Sequence, residues 1–248
     1  MKKRIIPCLD IKDGKVVKGV NFEGLKVMGD PVSLAKKYAD EGAEELIILD
    51  ISATNEQRDT SAKVVEEVCQ SVEIPVTVGG GIKSLADIAR VLNQGAKRVS
   101  IGTAALKDPE MLRAAVEKFG GKSIVVAIDV KQIDGQWQVM THGGKQSSGV
   151  ELMSYCRQLA ELKVGEILLT SMASDGMKNG YDIELLKMVK TAIGLPLIAS
   201  GGCGEMSHIA ELFIEEAADA ALVASLLHYG DTTVDEIQDF LATQGVLP

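Results

Sequence analysis

Short apolar runs alternate with helical periodicity along the whole chain. Runs of strand length occupy residues 4–9, 45–49, 75–78, 98–101, 124–128, 167–170, 196–199 and 220–223. Nearly continuous Ile, Val, Leu and Ala over so few residues predicts parallel strands buried on both faces. Between these runs, apolar residues recur at three- and four-residue spacing over 31–40, 61–70, 84–92, 109–118, 150–162, 183–192, 206–215 and 234–241, which predicts amphipathic helices. Two of the helices carry start signals, because Asp30-Pro31 and Asp108-Pro109 set a capping side chain before a first-turn proline. Eight strand–helix repeats in 248 residues predict one (β/α)8 barrel. An open doubly wound sheet would more often carry a Gly-x-Gly-x-x-Gly turn after its first strand, and none is present.

Two of the predicted strands end alike. Arg4-Ile5-Ile6-Pro7-Cys8-Leu9-Asp10 and Ser123-Ile124-Val125-Val126-Ala127-Ile128-Asp129 both close an apolar run with a carboxylate. They belong to an internal repeat. Ile74-Pro75-Val76-Thr77-Val78-Gly79-Gly80-Gly81 matches Leu195-Pro196-Leu197-Ile198-Ala199-Ser200-Gly201-Gly202, and Val99-Ser100-Ile101-Gly102-Thr103-Ala104 matches Ala221-Leu222-Val223-Ala224-Ser225-Leu226. The repeat implies half-barrels of about residues 1–121 and 122–248. Asp10 then ends strand one and Asp129 strand five, which oppose each other in an eight-stranded ring. Both reach the C-terminal mouth, where barrel enzymes hold their chemistry.

Composition narrows the partners. A net charge of −9 and a pI near 5.0 argue against a nucleic-acid surface. The basic start Met1-Lys2-Lys3-Arg4 is followed by an apolar run that Asp10 interrupts, too short for a signal-peptide core. No stretch approaches the ~18 apolar residues of a membrane helix. Cys8, Cys69, Cys156 and Cys203 show no paired spacing, which fits a reducing cytoplasm. The three histidines form no ligand motif, so neither a metal nor a cofactor is expected.

An acidic chain can still bind an anion through local amides. Gly79-Gly80-Gly81 after strand three and Gly102-Thr103 after strand four are neighbours at the mouth. Ser200-Gly201-Gly202 after strand seven and Ala224-Ser225 after strand eight repeat the design on the other side. Glycines let backbone N–H groups approach phosphate, and Thr103 and Ser225 add hydroxyls. One such turn would be no more than a tight connection. Its doubling points to a long substrate with a phosphate at each end.

These motifs, taken with Val16-Val17-Lys18-Gly19-Val20-Asn21-Phe22, Gly29-Asp30-Pro31, Leu49-Asp50-Ile51, Thr141-His142-Gly143-Gly144, Gly165-Glu166-Ile167-Leu168-Leu169-Thr170-Ser171, Asp175-Gly176 and Gly180-Tyr181-Asp182, resemble the cyclase subunits of imidazole glycerol phosphate synthases, from histidine biosynthesis. The likeness runs in order through essentially the whole chain. It implies a barrel that combines ammonia, supplied by a separate glutaminase subunit, with N′-ribulosyl-formimino aminoimidazole carboxamide ribonucleotide. Imidazole glycerol phosphate and an aminoimidazole carboxamide ribotide would be the products. Asp10 and Asp129 would be the catalytic acid and base, in an order that sequence leaves open.

Other positions have supporting roles in this reading. The segment from Asp10 to Pro31 is long enough to form a lid, with Lys18 reaching a phosphate or an oxyanion; an exposed hairpin is the plainer alternative. Residues 130–141, with Asp134-Gly135, predict a hairpin packed by Trp137. Asp50 and Thr170 would flank the substrate, and an amide at Asp175-Gly176 would hold the second phosphate; simple caps are the alternative. His142 is either structural or a substrate contact. His208 and His228 are expected to be packing or surface residues, and Cys8 part of the barrel core.

At the opposite end, Arg4, Glu45, Arg98 and Glu166 begin strands one, two, four and six. The resemblance implies a charged ring there through which ammonia passes. Lys97-Arg98 departs from the family's usual Asp-Lys, which reverses a charge facing the glutaminase and exchanges a point charge for a forked one. Gly102 stands where Asn is common and removes one side-chain donor from the first cradle. Two alternatives stay open: the related isomerase of the same pathway, whose first strand usually lacks Cys-Leu before Asp, and a repurposed barrel that activates a glutaminase for sugar amidination.

Overall fold

The computed structural model describes residues 2–20, 23–51 and 58–246. In chain order its elements are β1 (Arg4–Lys12), β2 (Lys15–Val20), β3 (Glu23–Gly29), α1 (Pro31–Asp40), β4 (Leu46–Asp50), α2 (Arg58–Ser71), β5 (Val76–Gly79), α3 (Leu85–Asn93), β6 (Arg98–Ile101), α4 (Thr103–Lys107), α5 (Pro109–Phe119), β7 (Ile124–Ile133), β8 (Gln136–Thr141), β9 (Gln146–Glu151), α6 (Leu152–Glu161), β10 (Glu166–Ser171), α7 (Ile183–Ile193), β11 (Leu197–Ser200), α8 (Met206–Ile214), β12 (Ala220–Val223), α9 (Ser225–His228) and α10 (Val234–Thr243). Strands β1, β4, β5, β6, β7, β10, β11 and β12 pair in parallel, and β12 returns to β1. This is a closed (β/α)8 barrel, and β1 and β7 stand opposite each other in the ring.

Strand alternation splits each apolar run between two cores. Ile6, Cys8, Ile47, Val125, Leu168, Ile198, Ala220 and Leu222 fill the barrel. Their neighbours Ile5, Leu9, Ile48, Val126 and Leu169 pack outward in the layer beneath the helices. Cys8 lies inside the barrel, as its position on the strand implies. Both anticipated helix starts are built: the carboxylate of Asp30 accepts from the Ser33 amide at 3.0 Å, and that of Asp108 from the Met111 amide at 2.9 Å.

Several elements differ from the sequence reading. The segment after Asp10 is paired structure, with β2 antiparallel to both β1 and β3. Residues 21–22, which include part of the anticipated lid, lie outside the described residues, as do residues 52–57. The hairpin after Asp129 gains a third strand, β9, so the next helix begins at Leu152 rather than Val150. Glu151 is extended and caps that helix, its carboxylate accepting from the Met153 and Ser154 amides at 2.8 and 2.7 Å. Trp137 packs against the outer core.

Candidate active site

Alternation along β1 and β7 also aims the acids. Arg4, Ile6, Cys8 and Asp10 share one face of β1, while Val125, Ala127 and Asp129 share one face of β7. Since Ile6, Cys8 and Val125 face the barrel interior, Asp10 and Asp129 project inward at the C-terminal mouth from opposite sides of the ring. Asp10 is buried, and Lys18 Nζ on β2 donates to its Oδ2 at 3.3 Å. Cys8 Sγ lies 3.6 Å from Asp10 Oδ1. Burial opposes the charge of Lys18, but the Asp10 carboxylate, with Cys8 and Asp175 adding to it, outweighs burial and the lysine pKa is raised. Asp175, on the turn after β10, is within electrostatic reach of Lys18, Asp10 and Asp129. Burial, followed by the Asp175 charge, pushes the Asp129 carboxyl up to about 6. Asp175 itself is raised by burial, with Lys18 opposing and Asp10 adding to the shift.

A cavity of about 840 Å³ opens beside Asp129. Its wall includes Asp50, Gly81, Gly102, Thr103 and His142, and Lys12, Lys83, Lys107 and Lys145 also reach it. The first glycine cradle therefore shares a cavity with one of the two acids. Ser200, Gly201, Gly202, Ala224 and Ser225 do not line this cavity, and neither do Asp10 and Lys18. Register ties the two sides together, since Thr170 on β10 is level with Asp129 on β7 and with Ser200 on β11. The His142 amide donates to the Thr103 hydroxyl at 3.4 Å, which brings the hairpin end onto the first cradle.

The two cradles share a construction. Gly80 has φ +105°, and a Cβ there would collide with the Asp50 carbonyl at the end of β4. Gly201 has φ +89°, and its Cβ would lie 2.9 Å from the carbonyl oxygen of Ser171 at the end of β10. Gly202 would collide with the Gly180 carbonyl. These glycines thus serve strand packing as well as any ligand. Gly80→Ala is expected to cost on the order of 3 kcal/mol in a urea titration, from positive φ plus the clash. Gly194→Ala, also at positive φ (+63°) but in the left-handed helical region and with nothing within 4 Å of its Cβ, should cost only about 1 kcal/mol. The Asp175 amide is already engaged, donating to the Ser171 carbonyl at 3.0 Å.

At the other end of the barrel the four charged residues form one closed cluster. Arg4 bridges Glu45 (2.8 Å) and Glu166, and Arg98 bridges the same two carboxylates. Thr77 completes the set, donating to Glu45 Oε1 at 2.9 Å and accepting from Arg98 Nε at 3.0 Å. Glu45 and Glu166 are buried, so each depends on both guanidinium groups for compensation. Lys97 is exposed beside this cluster.

With this geometry in place, comparison with known proteins gives a direct result. A family model described as "Histidine biosynthesis protein" matches residues 4–233. The chain belongs to the histidine biosynthesis protein family. That family is made up of histidine-biosynthesis enzymes and includes both the isomerase and the cyclase of the pathway. Among the described residues of this family member, no helix is long and apolar enough to cross a membrane.

The remaining histidines are held by neighbours. His228 Nε2 donates to the Cys8 carbonyl at 2.9 Å, and Nδ1 accepts from the Tyr38 hydroxyl at 2.7 Å. Burial lowers the His228 pKa to about 4 and keeps the ring neutral. His208 Nδ1 accepts from the Gly204 amide at 3.2 Å. Sequence reading did not anticipate that Lys18 pairs with Asp10. It also left the cavity lysines and Ser100 unassigned. Ser100 had a signal in its position, two residues beyond inward-facing Arg98 on β6.

Proposed function

We propose that the chain is the ammonia-dependent cyclase of its family. The observation that carries this reading is the pair of acids on opposed strands, each in a different electrostatic setting. Asp10 is in an ion pair with Lys18, while Asp129 sits in surroundings that favour the proton. On this reading Asp129 is the general acid and Asp10 the general base.

The reaction needs both. Ammonia adds to the ketone carbon of the ribulosyl group, and a proton from Asp129 lets the oxygen leave as water. Asp10 removes a proton from the added nitrogen as it attacks the formimino carbon and closes the ring. Cleavage of the old C–N bond then releases the aminoimidazole carboxamide ribotide, which takes a proton as it departs, and transfer of a proton from the former methylene carbon to a ring nitrogen makes the new ring an aromatic imidazole. One phosphate would sit at Gly81, Gly102 and Thr103, the other at Ser200, Gly201, Gly202, Ala224 and Ser225. Asp50, Thr170 and Asp175 with Gly176 would position the span between them. Because Lys18 covers Asp10 in this structure, the lysine has to swing off the carboxylate when substrate arrives.

The charged cluster favours the cyclase over the isomerase, which needs no second reactant. Arg4, Glu45, Arg98 and Glu166 lie within the barrel below the acids, where a small neutral molecule delivered by a glutaminase subunit would enter. Arg98 presents a fork to both carboxylates and would hold that entry shut until the partner docks. The test is to offer the ribulosyl compound with and without ammonium salt, and separately the isomerase's aldose precursor. Ammonium-dependent consumption of the first supports the cyclase. Conversion of the aldose without ammonium supports the isomerase. Inertness toward both, combined with stimulation of a glutaminase, supports the repurposed barrel.

A further inference from the structure

Among the described residues, two buried side-chain polar atoms have no hydrogen-bond partner: Ser100 Oγ and the Tyr155 hydroxyl. Both residues line the same cavity of about 840 Å³. Buried hydroxyls elsewhere are satisfied; Thr77, Thr141, Ser171, Thr232 and Tyr181 each have a partner. Orphaned groups scattered by chance would not meet at one cavity. An unpaired buried hydroxyl destabilises a fold, and its presence beside a concave site points to a partner that arrives with the ligand.

Tyr155 is only 3% exposed, on the first turn of α6, where Glu151 fixes the start of the helix. The cavity wall shared with it is mostly apolar: Ala104 and Leu106 on α4, Val139 and Met140 on β8. Those side chains offer no acceptor stronger than the weak thioether of Met140. Lys107 lines the same cavity and supplies positive charge to it, and Gly102 and Thr103 of the cradle line it too. A ligand oxygen, favoured if anionic by the positive charge of Lys107, would supply the acceptor that this hydroxyl lacks. We propose that Tyr155 is a substrate-binding residue whose hydroxyl donates to an oxygen on the phosphorylated end of the ligand seated at Gly81, Gly102 and Thr103. This rests on reading the cavity as a phosphosugar site. Tyr155 touches no reacting atom in this account; it fixes one end of the substrate.

Tyr155→Phe removes the hydroxyl and keeps the ring. Two readouts should move in opposite directions. The free variant should melt at a higher temperature than the parent, because the orphaned group is gone. Its affinity for the ribulosyl substrate, titrated calorimetrically without ammonia, should fall about tenfold, with KM raised and kcat kept. Ribose 5-phosphate is titrated in parallel as a generic phosphosugar. Parent protein that binds ribose 5-phosphate but not the ribulosyl compound overturns the cyclase reading, and the Tyr155 comparison is then read on ribose 5-phosphate. Equal affinity of parent and variant for whichever probe binds overturns the Tyr155 proposal, as does binding of neither probe. A variant that melts lower and binds unchanged would make the hydroxyl purely structural.

Discussion

Asp129→Asn should abolish ammonia-dependent turnover while making the protein more stable at neutral pH. The loss follows from removing a positioned proton donor, typically a factor of about 10²–10⁴. The gain follows from linkage. With its pKa raised from 3.8 to about 6, the Asp129 carboxyl binds more protons in the folded than in the unfolded chain between those values. Stability contributed by this group is therefore greatest below pH 3.8, falls as pH rises through the window, and is at its minimum above about pH 6. The full shift corresponds to about 3 kcal/mol; partial exposure of the side chain lowers the expected gain to roughly 1–3 kcal/mol. A chain of this size should then melt a few degrees higher at pH 7–8, and the advantage should vanish near pH 4. Thermal scans of parent and variant across that range, beside ammonium-driven rates, check both halves. A variant that keeps its rate removes Asp129 from the chemistry. Asp10→Asn should lose a comparable rate, and it should also free Lys18.

Glu166→Ala should be among the most destabilising single changes in the barrel. The carboxylate is shared by Arg4 and Arg98, and it is nearly inaccessible to water. Without it, two guanidinium groups inside the barrel depend on Glu45 alone. Breaking a buried charge pair from one side typically costs about 3–5 kcal/mol. Arg98→Lys should cost less, about 1–2 kcal/mol, because a point charge still meets one carboxylate at a time. Urea midpoints at constant slope measure both. Equal and small losses would mean that the cluster is solvated and carries no structural weight.

Much of this site could be read before any coordinates, for a simple reason. Strand alternation is strict, so an Asp two residues past an interior Cys8, or past Ala127, has only one direction to face. The same rule groups Arg4, Glu45, Arg98 and Glu166 at the other end. The start of α1 at Asp30-Pro31 was legible because a cap acts through its own neighbours. Pairings between distant elements were not. Lys18 reaches Asp10 only because β2 folds back along β1, and the Lys-Val-Val-Lys-Gly pattern of that strand alternates too weakly to announce it. Helices α4 and α9 are too short to show a period. Strand β9 is rich in Ser and Gly, and Glu151 reads equally well as strand end or helix start. The unpaired hydroxyl of Tyr155 depends on what β8 and β9 place around α6, which no local pattern records.

The most direct test of the account is isotopic. Parent protein alone is supplied with the ribulosyl substrate and ¹⁵N-ammonium, and the imidazole product is examined by mass spectrometry and nitrogen NMR. The account predicts label in the new ring and none in the released ribotide, with the signal lost in Asp129→Asn and in Asp10→Asn. Unlabelled product, or no product at any ammonium concentration, would contradict it.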